Sequence, residues 1–220
     1  ARYAAYIGPG FTNTTAQASL RTQTGLGLES DESAFGFGDL FVQPLWLGWS
    51  GAHFDAALGY GFYAPTGHFE NGDDDNIGLG FWTNQFQAAG AFYPNPDRTM
   101  ALTLGITYEL NGNQEGVDVT PGQRISLNYG ISHYIPLDDG PTWMAEIGLL
   151  GFSQWEIEKD SGSDVREATN VKDQIHAVGM QLGATFLPWK ASATFHYLHE
   201  YGAEARFQGD HFVLTLGKAF

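Results

Sequence analysis

Apolar residues recur at every second position over much of this chain. In RTMALTLGITYEL, Met100, Leu102, Leu104, Ile106, Tyr108 and Leu110 fall on one face, while Thr99, Thr103, Thr107 and Glu109 fall on the other. Successive side chains of an extended strand point to opposite sides, so this period of two predicts a strand and not a helix. The same pattern sets Ile125, Leu127, Tyr129 and Ile131 against Arg124, Ser126, Asn128 and Ser132 in QRISLNYGISHYI. It recurs with Phe54, Ala56, Leu58, Tyr60 and Phe62, and again with Ala193, Phe195, Tyr197 and Tyr201. Weaker versions occupy 80–93, 143–157, 174–187 and 207–220, and FGFGDLFVQPLWLGW (35–49) adds another. About nine strands of roughly 11 to 14 residues follow, long against the usual five or six. ASLRTQTGLGL (18–28) supplies a tenth.

The connections say what these strands build. A short turn at Ser50-Gly51 is followed by a long polar loop, TGHFENGDDDNIG. Then come YPNPDR, the long LNGNQEGVDVTPG, PLDDGPT, the long EKDSGSDVREATNVKD, and LPWK. Alternating short and long connections suit a transmembrane antiparallel β-barrel, with short turns at one rim and longer loops at the other. A tilted strand needs about 9 to 11 residues to cross the hydrocarbon, and closure satisfies every backbone group there. Aromatic residues near the strand ends (Trp46, Trp49, Trp82, Tyr93, Trp143, Trp155, Trp189 and Phe220) are then expected in the interfacial girdles.

Composition narrows this all-β reading. The net charge of −15 excludes a nucleic-acid partner, which needs a basic face. With no cysteine there is neither a disulfide framework nor a thiolate metal site. Mean hydropathy is −0.22, and no apolar run is long enough for a membrane helix. ARYAAYIGPGF lacks the basic-then-apolar pattern of an export signal, which predicts a mature chain.

FGFGDLFVQPLWLGWSGAHFDAALGYGFYAPTGHF, IGLGFWTNQFQAAGAFYPNP, the strand ending ITYELNG, and TPGQRISLNYGISHYI together resemble the Gram-negative outer-membrane family of phenol meta-pathway proteins. That family includes channels for sphingosine and for aromatic, hydrophobic compounds. The likeness covers roughly residues 35 to 220, and Phe220 resembles the terminal aromatic that barrel-assembly machinery recognises. The resemblance implies a monomeric 12-stranded barrel, integral to the outer membrane and in contact with its lipid and lipopolysaccharide. The segment before the first strand would fold into the lumen. GPGF (Gly8, Pro9, Gly10 and Phe11), within a plug over about residues 1–17, resembles the family's N-terminal motif. A frayed terminus is the plainer alternative. The nine or ten countable strands fall short of twelve, and ARYAAYIGPGFTNTT is too short to hold the remainder.

Alternation sends Asp39, Gln43, Asp55, Gln85, Gln87, Glu109, Arg124, Glu146, Glu156 and Glu200 inward, and with them Tyr63, Tyr134, Met144, Leu150, Phe152 and Leu198. The apolar members are odd for a water-filled hole. They suit a binding path for a small hydrophobic molecule, because removing apolar surface from water returns about 25 cal/mol per Å²; packing against the plug would explain them equally well. Pro44 cannot donate a ladder hydrogen bond, and in a barrel every strand is central. Pro44, with Asp39 and Gln43 beside it, is therefore the candidate lateral gate.

Three other readings compete. A lumen lined only by polar groups would make a general diffusion porin for small hydrophilic solutes. A lipid-modifying enzyme needs Ser and His on one face; Ser132 and His133 are adjacent and point apart, and His196 and Glu200 stand roughly 13 Å apart at about 3.3 Å per residue. No catalytic role follows, and no cofactor is called for. Asp73, Asp74 and Asp75 lack the spacing of a calcium loop. A soluble β-sandwich lectin is the non-membrane alternative, and it would come out in aqueous buffer whereas a barrel needs detergent.

Overall fold

Strands form where the alternation predicts them. The computed structural model describes every residue except 22–26, 74–75, 141, 169 and 220; over 12–21 and 27–34 it describes the backbone alone. The strands are β1 (Arg2–Arg21), β2 (Gly27–Ser50), β3 (Phe54–Ala64), β4 (Thr83–Phe92), β5 (Met100–Asn111), β6 (Arg124–Pro136), β7 (Trp143–Glu156), β8 (Gln174–Phe186), β9 (Ala191–Glu204) and β10 (Asp210–Lys218). Each pairs antiparallel with the next, giving one sheet in sequential order from β1 to β10. The sheet curls: a single cavity is lined by residues from β2 through β9.

Register runs without a shift from β3 to β8. Glu109, Arg124 and Glu156 stand abreast on the inner face, and one step along, Tyr108, Ile125 and Trp155 stand abreast on the outer one. The result inverts a soluble core. Among the described residues the buried apolar side chains are Ala64, Ala101, Ile175 and Ala177, whereas Leu104, Ile147, Leu149, Leu214 and Leu216 are each more than half exposed. A soluble monomer rarely leaves more than a few hundred Å² of contiguous apolar surface uncovered. Here that surface runs over the outer face of nearly every strand, as hydrocarbon contact requires. No helix is long and apolar enough to cross a membrane, a statement that says nothing of crossing by strands.

Long connections share one rim: 65–82, 112–123 and 157–173. Short ones share the other, where Leu187–Trp189 forms a single 3-10 turn after β8. Aromatic side chains collect at both rims. Trp143 packs on Phe186, and Phe186 on Trp189, at the short-loop end; Phe62 packs on Trp82 at the long-loop end.

Three expectations are corrected. GPGF is not inside the lumen: Gly8 pairs with Phe41, Pro9 with Leu40 and Phe11 with Phe37, so the segment belongs to β1 and to the wall. Gly-Pro-Gly reads as a break, but a proline is tolerated in a strand that pairs on one side and beside a bulge, and the register shifts between Pro9 and Phe11. ASLRTQTGLGL is likewise not a separate strand, since β1 runs to Arg21 and β2 begins at Gly27. Trp46 leaves the outer girdle. A bulge between Val42 and Leu45 turns the strand over, pairing Trp46 with inward Gly59 and putting Leu45, Leu47 and Trp49 outside.

Candidate functional site

The inner face carries a connected polar track. Gln43 Nε2 donates to Gln87 Oε1 at 2.8 Å, Gln87 Nε2 to Gln85 Oε1 at 2.9 Å, and Gln85 Nε2 to Glu109 Oε1 at 2.6 Å. The track crosses from β2 to β4 over β3, and glycine makes that crossing geometrically open. A Cβ at Gly59 would lie 2.7 Å from Gln43 Nε2 and would collide with the Trp46 ring. Further toward the long-loop rim, Phe41 packs on Tyr63 with centroids 4.7 Å apart, and a Cβ at Gly61 would lie 2.8 Å from Phe41 Cζ. Single alternate glycines on β3 thus let its neighbours' side chains meet across it.

Below the track lies a cavity of about 630 Å³. Leu150, Phe152 and Leu198 line it together with Ala57, Ala89 and Gly105, so its wall is largely apolar, with Asn128, Thr103 and Gln181 as polar points. Of the six residues expected on a hydrophobic path, the structure gathers these three. Tyr63 stands apart on Phe41, and Tyr134 and Met144 sit opposite Glu146 and Pro136 near the short-loop rim. Asp55 and Tyr93 close the cavity's edge toward that rim. The Arg98 guanidinium pairs with Asp55 Oδ2 at 2.7 Å and lies 3.9 Å over the Tyr93 ring, whose hydroxyl donates to Asp55 at 2.8 Å. Arg98 holds this position with φ of +55°, a conformation rare for a side-chain-bearing residue. Tyr93, expected in a girdle, is therefore part of an inner-face cluster.

At the opposite mouth Arg124 pairs with Asp173 at 2.5 Å, and Arg206 reaches Asp173 at 3.6 Å and Gln154 at 2.5 Å. Two arginines thus meet Asp173 there, so the mouth is not a bare acidic ring.

The three candidate gate residues divide. Pro44 sits where the ladder is interrupted on both sides, with register shifts between Ala4 and Tyr6 toward β1 and between Val42 and Leu45 toward β3. Its carbonyl accepts the Tyr3 hydroxyl at 2.7 Å. A cavity of about 290 Å³ lies against the same place, lined by Ala4, Ala5, Tyr6, Gln43, Trp46 and Gln87. Asp39 has another task. Its carboxylate accepts the Gly67 amide at 3.0 Å and the Leu79 amide at 2.9 Å, and Leu40 N–H donates to Thr66 Oγ1 at 3.0 Å, tying both ends of the β3–β4 loop to the wall. The GD…PTG…GLG spacing in the sequence carried that signal.

Catalytic geometry is weak. Ser132 faces inward and His133 outward; Glu200 accepts from the Gly209 amide and contacts His211 at 2.6 Å rather than His196. A Ser–His contact that alternation did not single out is Ser153 with His176 at 2.9 Å, cross-strand neighbours on the outer face. The imidazole is flanked by the Trp155 and Tyr201 rings, and among the described residues no carboxylate bonds its other nitrogen. That pair satisfies two polar groups within an aromatic belt and lacks the orienting group of a triad.

A family model described as "Putative MetA-pathway of phenol degradation" matches residues 3–216. A search of curated proteins finds no match. Among solved structures, an outer-membrane channel from Pseudomonas putida F1 is similar at 14% identity and a TM-score of 0.64, over 96% of this chain and 83% of that one. At that identity the likeness is one of fold.

Proposed function

The chain belongs to the phenol-degradation MetA-pathway family whose model spans it, and from that premise we propose that it is an outer-membrane channel for uptake of small hydrophobic molecules. The observation that carries this reading is the largely apolar cavity of about 630 Å³ inside a wall whose outer face is also apolar. Leu150, Phe152 and Leu198 would form the binding path. A solute that buries about 200 Å² of apolar surface there gains about 5 kcal/mol over water. Exit is sideways beside Pro44, where the interrupted ladder and the cavity behind it lower the cost of parting the wall. Gln43 lies on the luminal side of that opening, and Asp39 sets its outer edge by holding the loop.

In this reading the protein is a monomer, integral to the outer membrane of a Gram-negative bacterium, in contact with lipid and lipopolysaccharide, and without catalytic activity or cofactor. Barrel-assembly machinery would insert it; Phe220, the residue expected to be recognised, lies outside the described residues. Pro44→Ala supplies the missing N–H. The reading requires it to slow uptake of a long-chain hydrophobic substrate while the protein stays folded in the membrane, judged by heat-modifiable mobility. Unchanged uptake refutes the lateral route.

The polar track from Gln43 to Glu109 favours a second reading, a diffusion porin for small hydrophilic solutes. Liposome swelling separates the two. A porin admits sugars freely, and a hydrophobe channel does not.

A further inference from the structure

The β3–β4 loop carries a group of side chains that the channel reading leaves unused. His68, Glu70 and Asp73 fall within six residues of one another, and one ligand-type atom from each lies within 4.8 Å of the other two. The turn that presents them is closed by Asn76, whose Oδ1 accepts the Glu70 amide at 2.6 Å and whose Nδ2 donates to the Glu70 and Asp73 carbonyls, each at 2.8 Å. Ile77 and Gly78 both donate to the His68 carbonyl, at 3.0 and 2.8 Å. Backbone and Asn76 together therefore fix where the three side chains start, leaving only short side-chain rotations to bring them onto one point.

We propose that His68, Glu70 and Asp73 bind one divalent first-row transition ion, with Zn²⁺ the type case. The donor set decides the class. Calcium and magnesium take oxygen ligands, whereas an imidazole nitrogen with two carboxylates suits zinc and its neighbours. A tetrahedral ion with bonds of about 2.1 Å wants ligand atoms about 3.4 Å apart, and the three atoms here already lie within 4.8 Å of one another. Three protein ligands leave a fourth position for water, as in a site that exchanges with solvent. Two carboxylates brought this near one another in a chain of charge −15 repel, and a doubly charged cation removes that repulsion. The ion would staple the outer turn of a loop whose base is already tied to Asp39, making one rigid arch from the wall to the loop tip. This inference does not depend on what the channel carries. Asp74 and Asp75 lie outside the described residues and are no part of the site.

Titration of the tag-free, folded protein in detergent tests it, with Co²⁺ followed by its visible absorption and Zn²⁺ by calorimetry. One ion per chain is expected, with a dissociation constant in the micromolar range and at least tenfold weaker binding of Ca²⁺. His68→Ala should weaken Zn²⁺ at least tenfold, and so should Glu70→Gln with Asp73→Asn. Heat-modifiable mobility of each variant shows that the barrel is intact. No Zn²⁺ binding up to millimolar concentration overturns the proposal; so does binding that neither variant changes, or Ca²⁺ bound as tightly as Zn²⁺.

Discussion

Asp39→Ala should release the β3–β4 loop while leaving the barrel folded. The Asp39 carboxylate is half-buried and accepts two backbone amides, Gly67 at 3.0 Å and Leu79 at 2.9 Å, one from each limb of the loop. A hydrogen bond to a charged group contributes about 1.5 to 3 kcal/mol, so two amount to about 3 to 6 kcal/mol. Water at the rim competes for both, which brings the tether down to about 2 to 4 kcal/mol of local opening energy. When opening and closing are fast relative to cleavage, proteolysis follows the population of the open form. At 1.4 kcal/mol per decade, cleavage in the loop should rise about 30- to 700-fold. Residues 65–82 contain no lysine or arginine, so trypsin is blind to the loop, but Glu70 offers a site to a glutamate-specific protease. Glu158 and Glu167, in the 157–173 connection, provide internal controls whose cleavage should not change. Asp39→Asn keeps one acceptor oxygen and should raise cleavage about tenfold. Cleavage at Glu70 within threefold of the parent in Asp39→Ala would refute the tether and return Asp39 to the wall opening.

Three other outcomes follow from the same geometry. Phe152→Gln removes a ring from the apolar cavity and should weaken binding of a hydrophobic ligand by about 1 to 2 kcal/mol, roughly 5- to 30-fold, read as fluorescence displacement in detergent. Arg98→Gly relieves the +55° φ and removes the guanidinium beside Asp55; it should raise single-channel conductance in planar bilayers, and a conductance equal to the parent's would show that the cluster does not narrow the passage. Asp118, in the 112–123 loop, accepts the Ser163 amide at 2.9 Å and its hydroxyl at 2.8 Å, and these bonds hold its pKa below the usual carboxylate value of 3.8. A depressed folded pKa means that the bond between the two loops is present above the ordinary value and is lost as pH falls through the lower folded one. A fluorophore pair on these loops should therefore report constant separation from pH 7 to about 4 and parting only below; parting near pH 6 would contradict it.

How much of this was legible in the sequence depends on which kind of signal carried it. Nine strands, β2 to β10, and the inward or outward sense of most residues in them follow from a period of two, because one face must meet hydrocarbon and a slip by one residue would expose the whole polar set to lipid. That constraint reaches Leu150, Phe152 and Leu198 from sequence alone, since the ladders joining β6 to β9 carry no register shift beside these three residues. It fails wherever an extra residue enters the strand. One bulge at Gln43-Pro44 reverses Trp46 and every residue after it in β2, and nothing in FVQPLWLGW marks the reversal except the proline itself. Proline there was readable as a weak point in the ladder but not as a switch of face, though the two are one physical event: a residue that cannot donate leaves its neighbours unpaired, and the unpaired residue is the bulge. The N-terminal strand escaped for a related reason, because GPGF breaks the local period while the backbone still runs beside β2. Contacts between strands that are not paired, and between wall and loop, were beyond any one-dimensional pattern. Gln43 meets Gln87 only because Gly59 stands between them, and Asp39 meets Gly67 and Leu79 only because the loop folds back 28 and 40 residues later. For a barrel of this type, then, alternation tells which residues can face a substrate. The glycines on the intervening strand decide which of them touch.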